Sequence, residues 1–245
     1  MGIQNCQDFH GNPLYGIEIS YGVIRDNPTR QHLKNVYACL SMSMVAAATG
    51  SGVHLFTDIL KGGFLSSIAL IGFMIALALT PHNGKNQTKR IGILMGFAFC
   101  SGLSLGPLMD LIIQIDPSII VTAFFATVLI FGCFTVSALW AEQRSFLYLG
   151  GILGSGLSML LLLSLVNLFV GSFFFYQIHL YGGLLLFCGF IMYDTQLIVE
   201  KHRHGDKDFV WHSLDLFLDF INIFRRIMII LAQNKVRSNI RADFA

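Results

Sequence analysis

From residue 145 to residue 193 the chain runs for 49 residues without one Asp, Glu, Lys or Arg. As a single helix at 1.5 Å per residue that run would be about 73 Å long, more than twice the ~30 Å of bilayer hydrocarbon, so it has to double back. The small and polar residues Asn167, Gly171, Ser172 and Gln177 mark the turn. Four shorter charge-free stretches, 35–57, 62–84, 91–109 and 117–141, each approximate the ~20 residues of one helical crossing. The whole chain is 54% apolar and 12% charged, with 22 phenylalanines, whereas soluble domains carry about 25% charged residues.

The expected fold is therefore an all-α membrane protein. Six apolar spans fall near 34–55, 63–80, 91–113, 118–140, 146–169 and 176–198, and a less apolar seventh segment covers 209–232. A cytosolic arm, 1–32, precedes a bundle at 33–233, and a short basic tail, 234–245, follows. No cleavable signal pattern is visible in the arm. Met1-Gly2 lacks the Ser or Thr that myristoylation wants at position 6, which is Cys6. The five cysteines, Cys6, Cys39, Cys100, Cys133 and Cys188, are scattered and read as packing residues, not as metal ligands or a disulfide framework. The four-residue glycine spacings Gly92/Gly96, Gly102/Gly106 and Gly150/Gly154 read as close helix contacts.

Lys and Arg set the orientation, because short cytoplasmic loops are enriched in them. Ten (Arg25, Arg30, Lys34, Lys85, Lys89, Arg90, Arg144, Lys201, Arg203, Lys207) flank the N-terminal side against Lys61 opposite, which predicts a cytosolic N-terminus. The sequon Asn86-Gln87-Thr88 then lies in the cytosol and stays unmodified. Arg225, Arg226, Lys235, Arg237 and Arg241 make the ratio ten against six if the seventh segment crosses, and fifteen against one if it enters and returns. Charge counting alone favours a cytosolic tail, although a helix buried among others is also placed by packing.

That seventh segment contains "SLDLFLDFINIF". On a helix, Asp215 and Asp219 share one stripe with His212, Asn222 and Arg226, while Phe217, Ile221, Phe224 and Met228 lie opposite. A charge at the centre of a membrane helix costs about 2.5–3.5 kcal/mol on insertion scales, so the stripe should face the bundle interior or water, as an ion path would. Asp194, near the end of the sixth span, reaches the same depth in an antiparallel hairpin. Two carboxyls forced together in a poorly hydrated site hold a shared proton. Deprotonated, they offer hard oxygen ligands to calcium and bind it weakly, since calcium prefers six to eight oxygens. The plainer reading is that these aspartates reach the interface or pair with Arg225 or Arg226; spacing does not choose between Asp215 and Asp219. His202, His204 and His212 read as solvated loop residues in preference to metal ligands or a proton relay.

The segments "RQHLKNVYACLSMSMVAAA", "GFAFCSGLSLGP", "YDTQLIVEK" and "HGDKDFVWHSLDLFLDFINIFR" occur in this order and resemble the Bax inhibitor-1 family, its animal members most closely, over residues 28 to 234. The resemblance implies a seven-helix bundle with the last helix central and surrounded by six. It also implies an endoplasmic-reticulum location and a pH-dependent calcium leak, as channel or proton-coupled carrier, that restrains cell death. By motif, the gating pair is Asp194, after Tyr193, and Asp219, before Phe-Ile-Asn; Asp215, His212, Asn222 and Arg226 are secondary candidates on the path. Expected partners are calcium, protons, the lipid bilayer and anti-apoptotic Bcl-family proteins; no cofactor and no nucleic acid are expected. Residues 1–27 depart from the family's usual start, the tail "QNKVRSNIRADFA" lacks the dense lysine cluster of animal members, and nothing in "ALTPHNGKNQTKR" matches the arginine that latches the pair in bacterial relatives.

Two other classes compete. A membrane scaffold could act through protein partners without ion transport. An intramembrane aspartyl protease also pairs a Tyr-Asp with a second aspartate, but those enzymes carry Gly-x-Gly-Asp where this chain has "LFLDF".

Overall fold

The 49-residue charge-free run folds into two antiparallel helices hinged at Gly171 and Ser172. Gly171 takes a left-handed φ of 63°, and its N–H donates to the Asn167 carbonyl at 2.8 Å, closing the first of the two helices. Glycine adopts that conformation without the Cβ penalty. In the computed structural model, residues 27–57, 62–82, 86–141 and 146–243 are described. The arm up to residue 26 with Cys6 and Arg25, and also Lys61, Lys85 and Arg144, lie outside the described residues.

Seven helices are present among the described residues: α1 Asn27–Phe56, α2 Phe64–Leu79, α3 Gln87–Ile115, α4 Ser118–Trp140, α5 Leu149–Val170, α6 Phe173–Arg203 and α7 Phe209–Asp243. Five of them, α1 and α3 to α6, are long and apolar enough to cross a membrane, so the chain is a multi-pass membrane protein. With 16 residues, α2 is about 24 Å long.

The seventh helix is the core of the bundle. Four helices surround it, α1, α3, α4 and α6, and not the expected six, because α2 lies on the outside of α3 and α5 on the outside of α6. Burial follows this plan. Along α7, Val210, Leu216, Phe217, Ile223 and Met228 are fully enclosed, while Leu161, Leu165, Leu168 and Phe169 of α5 stand open on the lipid-facing side. Phe217 packs edge-on against Phe97, and Phe220 against Phe124 and Phe131.

The glycine spacings act locally. A Cβ on Gly50 would overlap the Phe99 carbonyl, and one on Gly102 the Ala47 carbonyl, so α1 and α3 touch backbone to backbone. Gly106 lies under the His54 ring, Gly96 under Phe73 and Gly150 under Tyr193; Gly92 and Gly154 face open space.

The seventh segment does not turn back. At its start, Asp208 meets Arg90 in the first turn of α3 and His82 just after α2; near its end, Lys235 meets Asp116, just past the end of α3, at 3.1 Å. It therefore runs the full length of the bundle, and its two ends lie at opposite ends of α3. The returning topology that charge counting favours does not form, because enclosure by four helices outweighs the flanking charge. At 35 residues, α7 is about 52 Å long, well beyond ~30 Å of hydrocarbon. The basic tail is helical to Asp243, and residues 234–242 are exposed.

Candidate functional site

The hairpin between α6 and α7 builds the site. It closes through Gly205, at φ 98°, whose N–H donates to the His202 carbonyl, and through Asp206, whose N–H donates to the Lys201 carbonyl, both at 3.0 Å. Asp208 begins α7: its Oδ1 accepts the Trp211 N–H at 3.2 Å, and its Oδ2 takes Arg90 Nη2 at 2.5 Å. The same residue thus caps the helix and ties it to α3. From the other side, Gln196 accepts the Phe146 N–H at 2.8 Å and donates to the Ala138 carbonyl at 3.2 Å, which braces α6 against the corner between α4 and α5.

These anchors set the depth of the acids. Asp194 lies nine residues before the end of α6 at Arg203, and Asp219 ten after the start of α7 at Phe209. Their carboxyl groups face each other within side-chain hydrogen-bonding reach. Asp219 is 4% exposed, and its Oδ2 is buried with no hydrogen-bond donor beside it. Asp194 and Asp215 are half-buried, and Asp215 stands close enough for its charge to act on the pair. Lys201, two turns beyond Asp194, is the cation whose field reaches Asp194 and Asp215. Two carboxylates in contact without a donor between them are stable only with a proton or a cation in the gap. Asp215 pairs with neither Arg225 nor Arg226 among the described residues.

The rest of the stripe spreads along α7. His212 is at the end nearest the hairpin loop, 1% exposed, with Nδ1 at 3.0 Å from His32 Nε2 and Nε2 at 3.7 Å from Asp206. His32, from α1, stacks on His202 with ring centroids 4.2 Å apart. His212 is thus not a solvated loop residue: it falls in the first turn of a helix that is enclosed from its start. Nor is His202, which is half-buried in the last turn of α6 against His32; His204, just past that helix, is exposed, with its ring nitrogen at 2.8 Å from the Glu200 carbonyl. Beyond Asp219, Asn222 donates to the Leu218 carbonyl at 2.8 Å, and Arg226 is 9% exposed with its Nη1 donating to the His179 carbonyl at 2.9 Å. The expectation that the apolar face of α7 lies opposite the stripe holds, but that face is also buried, with Phe217 and Met228 at 0% and Phe224 at 6%.

The sequence reading counted Arg90 only as a loop charge and did not single out Asp208, His32 or His82. Arg90 is 3% exposed in its ion pair, and His82 Nδ1 lies 3.8 Å from Asp208 Oδ1. The available signal for Arg90 was its place directly before the third apolar span, at residue 91. No group of three or more metal-ligating side chains is assembled among the described residues.

Fold and site together define a multi-pass helical membrane protein with an acidic pair buried between its sixth helix and its central seventh. Comparison with known proteins gives the family. Residues 29–236 match the family model described as inhibitor of apoptosis-promoting Bax1. The chain is 56% identical over 206 residues to the probable Bax inhibitor 1 of Paralichthys olivaceus, covering 84% of this chain and 87% of that protein. It is 52% identical over 207 residues to Bax inhibitor 1 of Homo sapiens, at 84% and 87% coverage, and 45% identical over 206 residues to that of Arabidopsis thaliana, at 84% and 82%. The chain belongs to the Bax inhibitor-1 family.

Proposed function

We propose that this protein is a pH-dependent calcium leak of the endoplasmic-reticulum membrane that restrains cell death, with Asp194 and Asp219 as the shared binding point for protons and calcium. One observation carries the reading: two carboxyls from neighbouring membrane helices meet, with Asp219 Oδ2 buried and lacking a donor. A proton on the pair closes the gap; its loss leaves a site of charge up to −2 that a divalent cation neutralises. Few protein oxygens are offered, so calcium is held weakly and passes on. Asp215 adds negative charge on the hairpin-loop side of the pair. The family's name supports the role in cell death, and the excess of Lys and Arg on the N-terminal side, ten against six for seven crossings, supports a cytosolic N-terminus.

An ion site fits better than a protease dyad. Leu216 and Phe217 are fully buried in a continuous helix where the proteases carry Gly-x-Gly. The test is calcium efflux from liposomes containing the purified full chain, measured between about pH 6 and pH 8. We expect a leak that varies with pH, and loss of that variation in both Asp194→Asn and Asp219→Asn. Wild-type pH response in both variants would reject the assignment. Protection of cells by the double variant at wild-type level would favour a scaffold acting through partners such as anti-apoptotic Bcl-family proteins.

A further inference from the structure

The calcium-leak reading leaves the buried charge of Arg226 without a role. Arg226 lies on the same stripe of α7 as Asp219, seven residues on, which is about 10 Å along the axis and nearly the same helical face. It is buried, and among the described residues no carboxylate pairs with it. Its guanidinium is nevertheless held firmly. Nη1 donates to the His179 carbonyl, the charged carbon lies 5.2 Å from the centre of the Phe187 ring, and the group rests where α6 has no side chain: a Cβ on Gly183 would overlap it. Nε is buried without a partner.

A cavity of about 310 Å³ lies beside this charge, lined by Tyr176, His179, Leu180, Asn222, Arg225 and Arg226. Asn222, one turn from Asp219 on the stripe, lines the cavity, and so does Tyr176, in the first turn of α6, on the side toward the end of the bundle where Lys235 meets Asp116. A cation leaving the carboxyl pair in that direction meets a fixed positive charge.

We propose that Arg226 is the electrostatic barrier on the far half of the cation route, that it limits calcium flux more than monovalent flux, and that Gly183 is the positioning residue providing its berth. The inference rests on the calcium-leak reading. Its signature is quantitative, because a fixed charge opposes each ion in proportion to the ion's own charge. Removing it should therefore speed a divalent ion by the square of the factor for a monovalent one. Burial of the guanidinium in a poorly hydrated wall makes the effect large.

The test measures calcium and potassium efflux from the same liposomes carrying the purified full chain. For Arg226→Gln we expect calcium flux to rise about ten-fold, equivalent to about 1.4 kcal/mol, and potassium flux about three-fold. Arg226→Lys, which keeps the charge but not the planar group held on Gly183 and Phe187, should change the calcium-to-potassium ratio less than Arg226→Gln. Gly183→Ala, which pushes the guanidinium from its berth, should change the calcium-to-potassium ratio in the same direction as Arg226→Gln and carries the test if that variant does not fold. Unchanged or reduced calcium flux in Arg226→Gln overturns the proposal. So does an equal rise for both ions, which marks general loosening. If Asp194→Asn and Asp219→Asn remove the pH response while Arg226→Gln leaves the ion ratio untouched, this inference alone fails; a wild-type protein that passes no calcium ends both.

Discussion

Replacing Arg90 by Met should destabilise the bundle by about 3 kcal/mol, the lower end of the cost of breaking a buried ion pair. The Arg90 side chain is 3% exposed and that of Asp208 16%, so solvent screens the pair little, and removal of the cation leaves a desolvated carboxylate. The lower end applies because Asp208 keeps other partners: the Trp211 N–H at 3.2 Å and, more distantly, His82 at 3.8 Å. For a chain of this size roughly 2–4 °C of melting temperature accompanies each kcal/mol, giving a fall of about 6–12 °C for Arg90→Met in detergent micelles. Asp208→Asn retains a side-chain acceptor for the helix cap while removing the charge. The double variant Arg90→Met/Asp208→Asn should therefore melt above the sum of the two single losses, with a coupling of at least about 1 kcal/mol. A fall below about 2 °C for Arg90→Met with additive singles is the behaviour of a surface pair. That result would refute the claim that this pair fixes the start of α7.

Gly102→Val puts side-chain atoms into the Ala47 carbonyl, and backbone cannot rotate away, so a loss of roughly 2–3 kcal/mol is expected in thermal unfolding. Gly92→Ala, with nothing within 4 Å of its Cβ, should be neutral or stabilising by up to about 1 kcal/mol. At the far end, hydrogen bonds from Ser118, followed by the Lys235 ammonium, pull the Asp116 carboxyl down to about 2, below its ordinary ~3.9. The clasp with Lys235 is therefore complete above about pH 4 and lost only as pH falls toward 2, so hydrogen-exchange protection of residues 229–236, corrected for intrinsic rates, should be constant from pH 5 to 8 and fall in Asp116→Asn. A cysteine at Asn239 should label from the face of a sealed vesicle opposite to one at His204; labelling of both from one face would contradict a crossing α7.

Much of the fold is legible because hydrocarbon leaves few options. The turn in the longest charge-free run falls at Gly171-Ser172, within the residues that composition marks, and the six apolar spans correspond to α1–α6 with ends shifted by a few residues in most cases. The end of α6 and the fate of α7 were harder to read, for the same reason. Hydropathy registers transfer into lipid, and α7 never faces lipid over its buried length. Asp219, His212 and Arg226 are buried in a helix that packs on α1, α3, α4 and α6, so the relevant solvent is the rest of the protein. A charge count over its flanks therefore argued for a returning segment where packing produces a crossing one.

The same reasoning separates what could be read of the site from what could not. Nearly equal distances from the loop between the two helices put Asp194 and Asp219 at about one depth, but they leave Asp215, one turn earlier, close to that depth too; only the family motif chose between them. Rotation of the helices decides the matter, and rotation is set by contacts remote in sequence. Gln196 bonds to the α4–α5 corner, Ser213 Oγ lies 3.0 Å from the Val36 carbonyl, and Asp208 holds Arg90. None of these pairs is closer than fifty residues apart, so no periodicity within one segment encodes them. Arg226 shows the converse. Its place on the stripe is plain from spacing, yet its lack of an acidic partner and its berth on Gly183 exist only once α6 has packed against α7. A chain of this kind displays its polar stripe openly, but the neighbouring helix decides which stripe residue meets a second carboxyl, as Asp219 does, and which lies over a glycine, as Arg226 does.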